Sequence, residues 1–142
     1  MNMHRINRQI ILLCVTFLFA GMAIAQPGST ANQIDEAISY AEEGAYESAL
    51  KMIEPLLENE ARNDARAWYV AGYAHKGRYK DYTFRSASTS KLASAERSIA
   101  VEQLLEAYEL DKKATFPGKI SELVEDALDY LSKTYMNDAV KG

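Results

Sequence analysis

The feature that most constrains this chain is a helical period of apolar residues broken once, sharply, at a glycine. Ile34, Ala37, Ile38 and Ala41 recur at three- and four-residue intervals. After Gly44 the spacing resumes at Ala49, Leu50, Ile53, Leu56 and Leu57. This spacing puts the apolar side chains on one helix face, whereas a half-buried strand would alternate them. Glycine tolerates the left-handed backbone that ends many helices, so the segment reads as helix, tight turn, helix. Pro55 should remove one hydrogen bond and bend the second helix without stopping it, because Leu56 and Leu57 keep the period.

The same kind of pattern recurs downstream. Ala67, Trp68, Ala71 and Ala74, with Tyr69 and Tyr73, predict an aromatic-rich helix ending near Gly77. Leu92, Ala95, Ile99, Leu104, Leu105 and Tyr108 predict another that runs to about Asp111. Pro117-Gly118 breaks the chain. A last helix then has Ile120, Leu123, Val124, Ala127, Leu128, Leu131 and Tyr135 on one face, with Glu122, Glu125, Asp126, Asp129 and Lys133 on a solvated face. After residue 25 there are 18 Ala and 10 Leu against nine Val plus Ile, which favours helix over strand. The expectation is an all-α fold of five helices.

Residues 1–25 stand apart. Arg5 and Arg8 precede sixteen uncharged residues, Ile10 to Ala25, and Ala23-Ile24-Ala25 has small residues where signal peptidase reads them. A helix of that length spans about 24 Å, short of a ~30 Å hydrocarbon core. Residues 1–25 are therefore expected to be a cleaved signal peptide, 26–30 a short flexible start and 31–142 the folded domain. The Ala-x-Ala-Gln junction is similar to that of bacterial proteins exported to the periplasm or cell envelope. The remaining 117 residues carry 14 Lys and Arg against 20 Asp and Glu, a net charge of −6. Such an acidic balance argues against nucleic acid or anionic lipid as a partner, and no stable membrane insertion is expected after cleavage. The one cysteine, Cys14, falls in the leader, so the domain has no disulfide or thiolate chemistry.

Catalytic equipment is sparse. No HExxH, P-loop, GxSxG or GxGxxG occurs, and paired acids such as Glu42-Glu43 and Glu125-Asp126 diverge around a helix. His75, the only histidine after the leader, reads as a packed ring on a Trp- and Tyr-rich helix. Ser86 to Ser90 reads as a polar loop capping the next helix. No enzyme activity, cofactor or metal is expected.

Spacing between the small residues adds a repeat. Ala37 and Ala49 are 12 residues apart, and Ala37 to Gly72 is 35. Trp68-x-x-Ala71-Gly72-x-x-His75 resembles the W-x2-L-G-x2-Y pattern of the tetratricopeptide (TPR) family, whose repeat is about 34 residues. Gly44 to Leu50 looks like that repeat's inter-helix turn, Ala49-x3-Ile53 like its A-x3-F step, and Ala100 to Asp111 like the end of a second repeat. The resemblance covers roughly residues 30 to 77 and 96 to 135. It implies a right-handed α-solenoid of about two and a half repeats, with Ala37, Gly72 and Ser132 at close helix crossings. The sequence departs from the family in the 28-residue step from Gly72 to Ala100, about 16 residues longer than in the first pair, and in Ala61 and Lys112 where a proline closes the repeat.

The resemblance also implies a function, a non-catalytic scaffold whose concave groove holds a peptide or helix of a protein partner. Aligned on Trp68 to Gly72, the groove positions are Arg66, Tyr69, Tyr73 and Lys76, with Ile34 and Ile38 from the first pair and Asp126, Asp129 and Lys133 from the last helix. Tyrosines flanked by cations suit a binding hot spot. Tyr79, Tyr82, Phe84 and Arg85, where aromatics interleave with cations, make a secondary surface. A plainer account has the helix run past Gly77 and bury these rings against the next one, leaving 83–89 as the loop. The alternative function is a structural subunit, or the front of a longer array, that stacks or oligomerises through the C-terminal helix. Protein isolated from its host should begin at Gln26. Terminal mass spectrometry that finds Met1 retained in the membrane fraction would sink the export reading.

Overall fold

The computed structural model describes residues 28–85, 87–114 and 118–141. The expected signal peptide of residues 1–25, Ser86 and Pro117 lie outside them. Among the described residues the fold is all-helical: α1 (Thr30–Glu42), α2 (Tyr46–Leu57), α3 (Ala65–Arg85), α4 (Ser90–Lys112) and α5 (Lys119–Lys141). A single 3-10 turn, Ala87–Thr89, joins α3 to α4. No described helix is long and apolar enough to cross a membrane.

Local chemistry sets the helix ends. The Ser29 hydroxyl accepts from the Asn32 N–H and caps α1. At the other end Gly44 has φ +80°, Ala45 N–H donates to the Tyr40 carbonyl at 2.8 Å and Gly44 N–H to that of Ala41 at 3.2 Å. This pair of bonds is a Schellman motif, which satisfies carbonyls that α1 would otherwise leave unpaired. Pro55 lies in the last turn of α2, and the helix continues past it to Leu57. The Asp64 carboxylate accepts from the Arg66 N–H at 2.9 Å to open α3.

α3 is the axis of the fold. It packs against all four other helices, whereas α2 touches only α1 and α3, and α5 only α3 and α4. One core joins α1, α2 and the first half of α3 around Ile34, Ala37, Ile53 and Val70. A second joins α3, α4 and α5 around Tyr79, Leu104, Val124 and Leu131, and Trp68 packs on both.

The long step from Gly72 to Ala100 is mostly helix, to Arg85 on one side and from Ser90 on the other, and not an inserted loop. α3 has 21 residues and α4 has 23, against 13 and 12 in the first hairpin. α3 therefore does not end near Gly77. That glycine sits inside the helix because the ring of Tyr46, at the start of α2, lies against it. The connection is also shorter than 83–89, since α3 reaches Arg85. Gly72 is a close crossing: a Cβ there would stand 2.8 Å from Leu104 Cγ and 3.1 Å from the Leu104 backbone nitrogen. Ala37 is fully buried, but Ser132 is exposed and its hydroxyl turns back to the Asp129 carbonyl. The close packing of α5 falls on Val124, Ala127 and Leu131 instead.

α5 begins on a buried carboxylate. Asp111, near the end of α4, accepts from the Gly118 N–H at 2.9 Å and from the Ser121 N–H and hydroxyl at 2.9 and 2.7 Å. Burial alone would raise its pKa, but these bonds to the ionised form outweigh it and hold the carboxyl below the ordinary aspartate value.

Two tests follow. A mid-helix Gly→Ala exchange normally gains about 1 kcal/mol. At Gly72 it should instead destabilise by ~1–3 kcal/mol, because the Leu104 backbone cannot yield. Gly77→Ala should cost less, since the Tyr46 ring can swing aside; denaturant midpoints in the reverse order would refute this packing. Asp111 titrates lower folded than unfolded, so its contribution is complete above the ordinary value of 3.8 and is lost as pH falls through the folded value. Asp111→Asn should cost ~1.5–3 kcal/mol at neutral pH and flatten that acid limb of the stability curve. An unchanged limb would remove Asp111 from the account.

Candidate binding groove

Helical spacing lines up Tyr69, Tyr73, Lys76 and Lys80 along α3, and the flanking helices close around this row. The Tyr69 and Tyr73 rings lie 5.8 Å apart between centroids. Lys76 Nζ sits 4.8 Å from the Tyr73 centroid and 5.4 Å from that of Tyr130 on α5, and Lys80 Nζ sits 5.5 Å from Tyr130. Tyr69, Tyr73 and Lys76 are each half-buried. Their outer surfaces remain available, while Tyr73 packs on one core and Tyr69 on the other.

The electrostatics place α1 and α5 beside the same row. Burial, followed by Tyr73, Glu42 of α1 and Asp126 of α5, pushes the Tyr69 hydroxyl up to about 12. Burial and then the neighbouring Lys80 charge lower the Lys76 pKa, and Asp126 partly offsets them. Among the described residues neither lysine forms an ion pair within 4.0 Å. Their ammonium groups face tyrosine rings, which attract cations through the ring quadrupole. Chemically the row offers aromatic surface, hydroxyls and two unpaired cations.

Not every residue expected in the groove joins this cluster. Arg66 pairs with Asp64 at 3.0 Å and with Asp35 of α1 at 3.2 Å, so it ties α3 to its neighbour. Asp129 and Lys133 pair with each other along α5 at 2.5 Å and are exposed. Ile34 is buried in the core shared by α1, α2 and α3, and Ile38 is half-buried against the same core. Tyr130 and Lys80 were missed. The signal was present, since Tyr130 is one turn after Asp126 and Lys80 one turn after Lys76.

The secondary surface divides. Tyr79 is buried against α4 and α5, so it is core and not surface, and Tyr82 is half-buried with its hydroxyl 3.1 Å from Arg78. Burial of these rings agrees with the plainer account, but Phe84 and Arg85 are exposed.

His75 is nearly inaccessible. Its Nδ1 lies 2.5 Å from Glu96 of α4 and its Nε2 3.3 Å from Glu54 of α2. The other oxygen of Glu96 takes Arg78 at 3.0 Å, and Arg78 also reaches Glu47 at 3.5 Å. This network braces α2, α3 and α4 around a buried imidazole. Among the described residues no group of three His, Cys, Asp or Glu side chains could hold a metal ion. No protein-family model, curated protein or solved structure matches this chain.

Proposed function

We propose that this chain is a TPR-type scaffold of the bacterial cell envelope, holding a peptide or helix of a partner protein on the shared face of α1, α3 and α5. In this reading those three are the inner helices of a right-handed solenoid of about two and a half repeats. The contacts of α1 with α3 and of α3 with α5, alongside the separation of α2 from α4, support that layering. The crossing of Gly72 on Leu104 supports the repeat register. The observation that carries the function is the row Tyr69, Tyr73, Lys76 and Tyr130, half-open rings from two helices with unpaired cations between them. Rigid aromatics supply contact area at low entropic cost, which is what binding hot spots use. We read the role as binding, because the row offers contact surface and charge.

The test replaces both tyrosines. Tyr69→Ala with Tyr73→Ala should abolish capture of the partner from envelope extract, at ~2 kcal/mol or more per ring. Both rings also touch the cores, so the variant must retain its helical signal and melting temperature. A photo-crosslinking side chain at Tyr73 gives a second readout that leaves Tyr69 in place, and Glu122→Ala serves as the neutral control. A folded double variant that still captures the partner refutes the groove.

A further inference from the structure

We propose that the end of the molecule formed by the α3–α4 turn and the last turns of α5 docks reversibly on an anionic lipid surface. The proposal is independent of the groove and rests on three observations.

The first is where the apolar surface lies. The most exposed large apolar side chains are Val140 at 87%, Phe84 at 85%, Met136 at 59% and Leu92 at 54%. They are distant in sequence, but the fold gathers them. Arg97 of α4 bonds Asp138 of α5 at 2.7 Å, and Thr83, Ser90, Ser94 and Asp138 line one cleft of about 370 Å³. The end of α3, the start of α4 and the end of α5 therefore share one end of the molecule.

The second is charge. The net charge of −6 argued against anionic lipid, but that average conceals a segregation. Residues 78–97 hold five Lys and Arg against two Asp and Glu. One of those acids, Glu96, is buried on His75 and Arg78, which leaves Asp81 exposed. Arg85, Lys91 and, from α5, Lys141 are exposed, and none is in an ion pair among the described residues. A cationic end on an acidic body is turned toward a negative surface by its own field.

The third is shape. A peptide or helix would need a continuous apolar stripe or groove. Phe84 and Val140 instead protrude from two different helices and are almost fully exposed. The headgroup and acyl boundary of a bilayer closes around such protruding side chains, and each nearby cation strengthens binding about fivefold.

The test uses protein isolated from its host and a single-tryptophan variant, Phe84→Trp with Trp68→Phe. Trp68 is the only tryptophan and lies sixteen residues before Phe84 on α3, about 24 Å away. With vesicles of equimolar phosphatidylcholine and phosphatidylglycerol carrying brominated acyl chains, the indole at position 84 should shift to the blue and be quenched. Trp68 of the wild type should be unaffected. Phosphatidylcholine alone should give little quenching, and Arg85→Gln, Lys91→Gln and Lys141→Gln together should weaken binding on the order of a hundredfold. Phe84 and the three cations are exposed, whereas Trp68 packs on both cores, so circular dichroism of each variant checks that the fold is retained. The proposal is overturned by no quenching at position 84, by equal quenching on phosphatidylcholine, or by Trp68 quenched as strongly, which would assign contact to another part of the chain. Light scattering that shows a dimer dissolved by Phe84→Ser, with vesicle binding unchanged, would give this end to a second copy and overturn it too.

Discussion

α3 has to approach four neighbours at once, and the small side chains along it make that possible. Ala67, Ala71, Gly72, Ala74 and Gly77 are buried on it, on more than one side of the helix. Helix axes usually pack 8–10 Å apart, with the exact spacing set by the side chains at the contact. At Gly72 the Leu104 backbone comes within 3.1 Å of where a Cβ would stand, so the spacing there is near its lower limit. Small residues bury little apolar area, and large rings must fill the volume at the crossing edges. Trp68 packs on both cores, Tyr46 covers Gly77, and Tyr79 enters the core shared with α4 and α5. The rings of the candidate groove are part of that same filling. Tyr69 and Tyr73 are held from behind by the cores and stay open in front, so their presentation depends on α3 remaining fixed.

Apolar contact alone leaves the register loose, because alanine against alanine resists sliding poorly. Buried charge supplies the missing definition. α2 and α4 do not approach each other, yet Glu54 and Glu96 reach opposite nitrogens of His75 on the helix between them. On the other side Arg97 of α4 reaches Thr134 and Asp138 of α5 and stacks 3.8 Å from the Tyr135 ring. Asp111 collects the first N–H groups of α5. Stranding one partner of a buried pair costs about 3–5 kcal/mol. A slip of one helix turn would strand several together, so these contacts select one alignment even where their net contribution to stability is small.

The pattern of legible and hidden features follows from the same physics. Periodicity located all five helices, because each has a buried face that recurs every three or four residues. The Gly44 turn was legible because a left-handed residue at a helix end favours glycine. One other glycine misled. Gly77 reads locally as a stop, and only the Tyr46 ring from another helix explains why it lies inside α3. The surplus residues after Gly72 read as an insert because nothing local shows that Tyr79 finds a core shared with α4 and α5. In the groove, Tyr69, Tyr73, Lys76 and Asp126 came from alignment with a repeat pattern and are brought together. Arg66 was drawn away by Asp64 and Asp35, and Asp129 and Lys133 by each other. A pattern can name a helix face, but competition between ion pairs decides which charges on it remain free.

That competition bears on what the inner row can do. After residue 25 acids outnumber bases by 20 to 14, so a lysine should readily find a carboxylate. Lys133 does so, one turn from Asp129 on the open side of α5. Lys76 and Lys80 instead face the rings of Tyr73 and Tyr130 and repel each other, with Asp126 the favourable charge acting on Lys76. The rings return part of the lost hydration of Lys76, because a cation over a tyrosine face is worth about 0.5–2 kcal/mol. They do not neutralise its charge, however, and the half-buried ammonium keeps a deficit that its own helix deepens. An incoming carboxylate would remove that deficit without displacing any existing ion pair. In the proposed scaffold the row would therefore favour a partner segment that brings an acidic group together with an apolar one, the rings taking the apolar group and the lysines the charge.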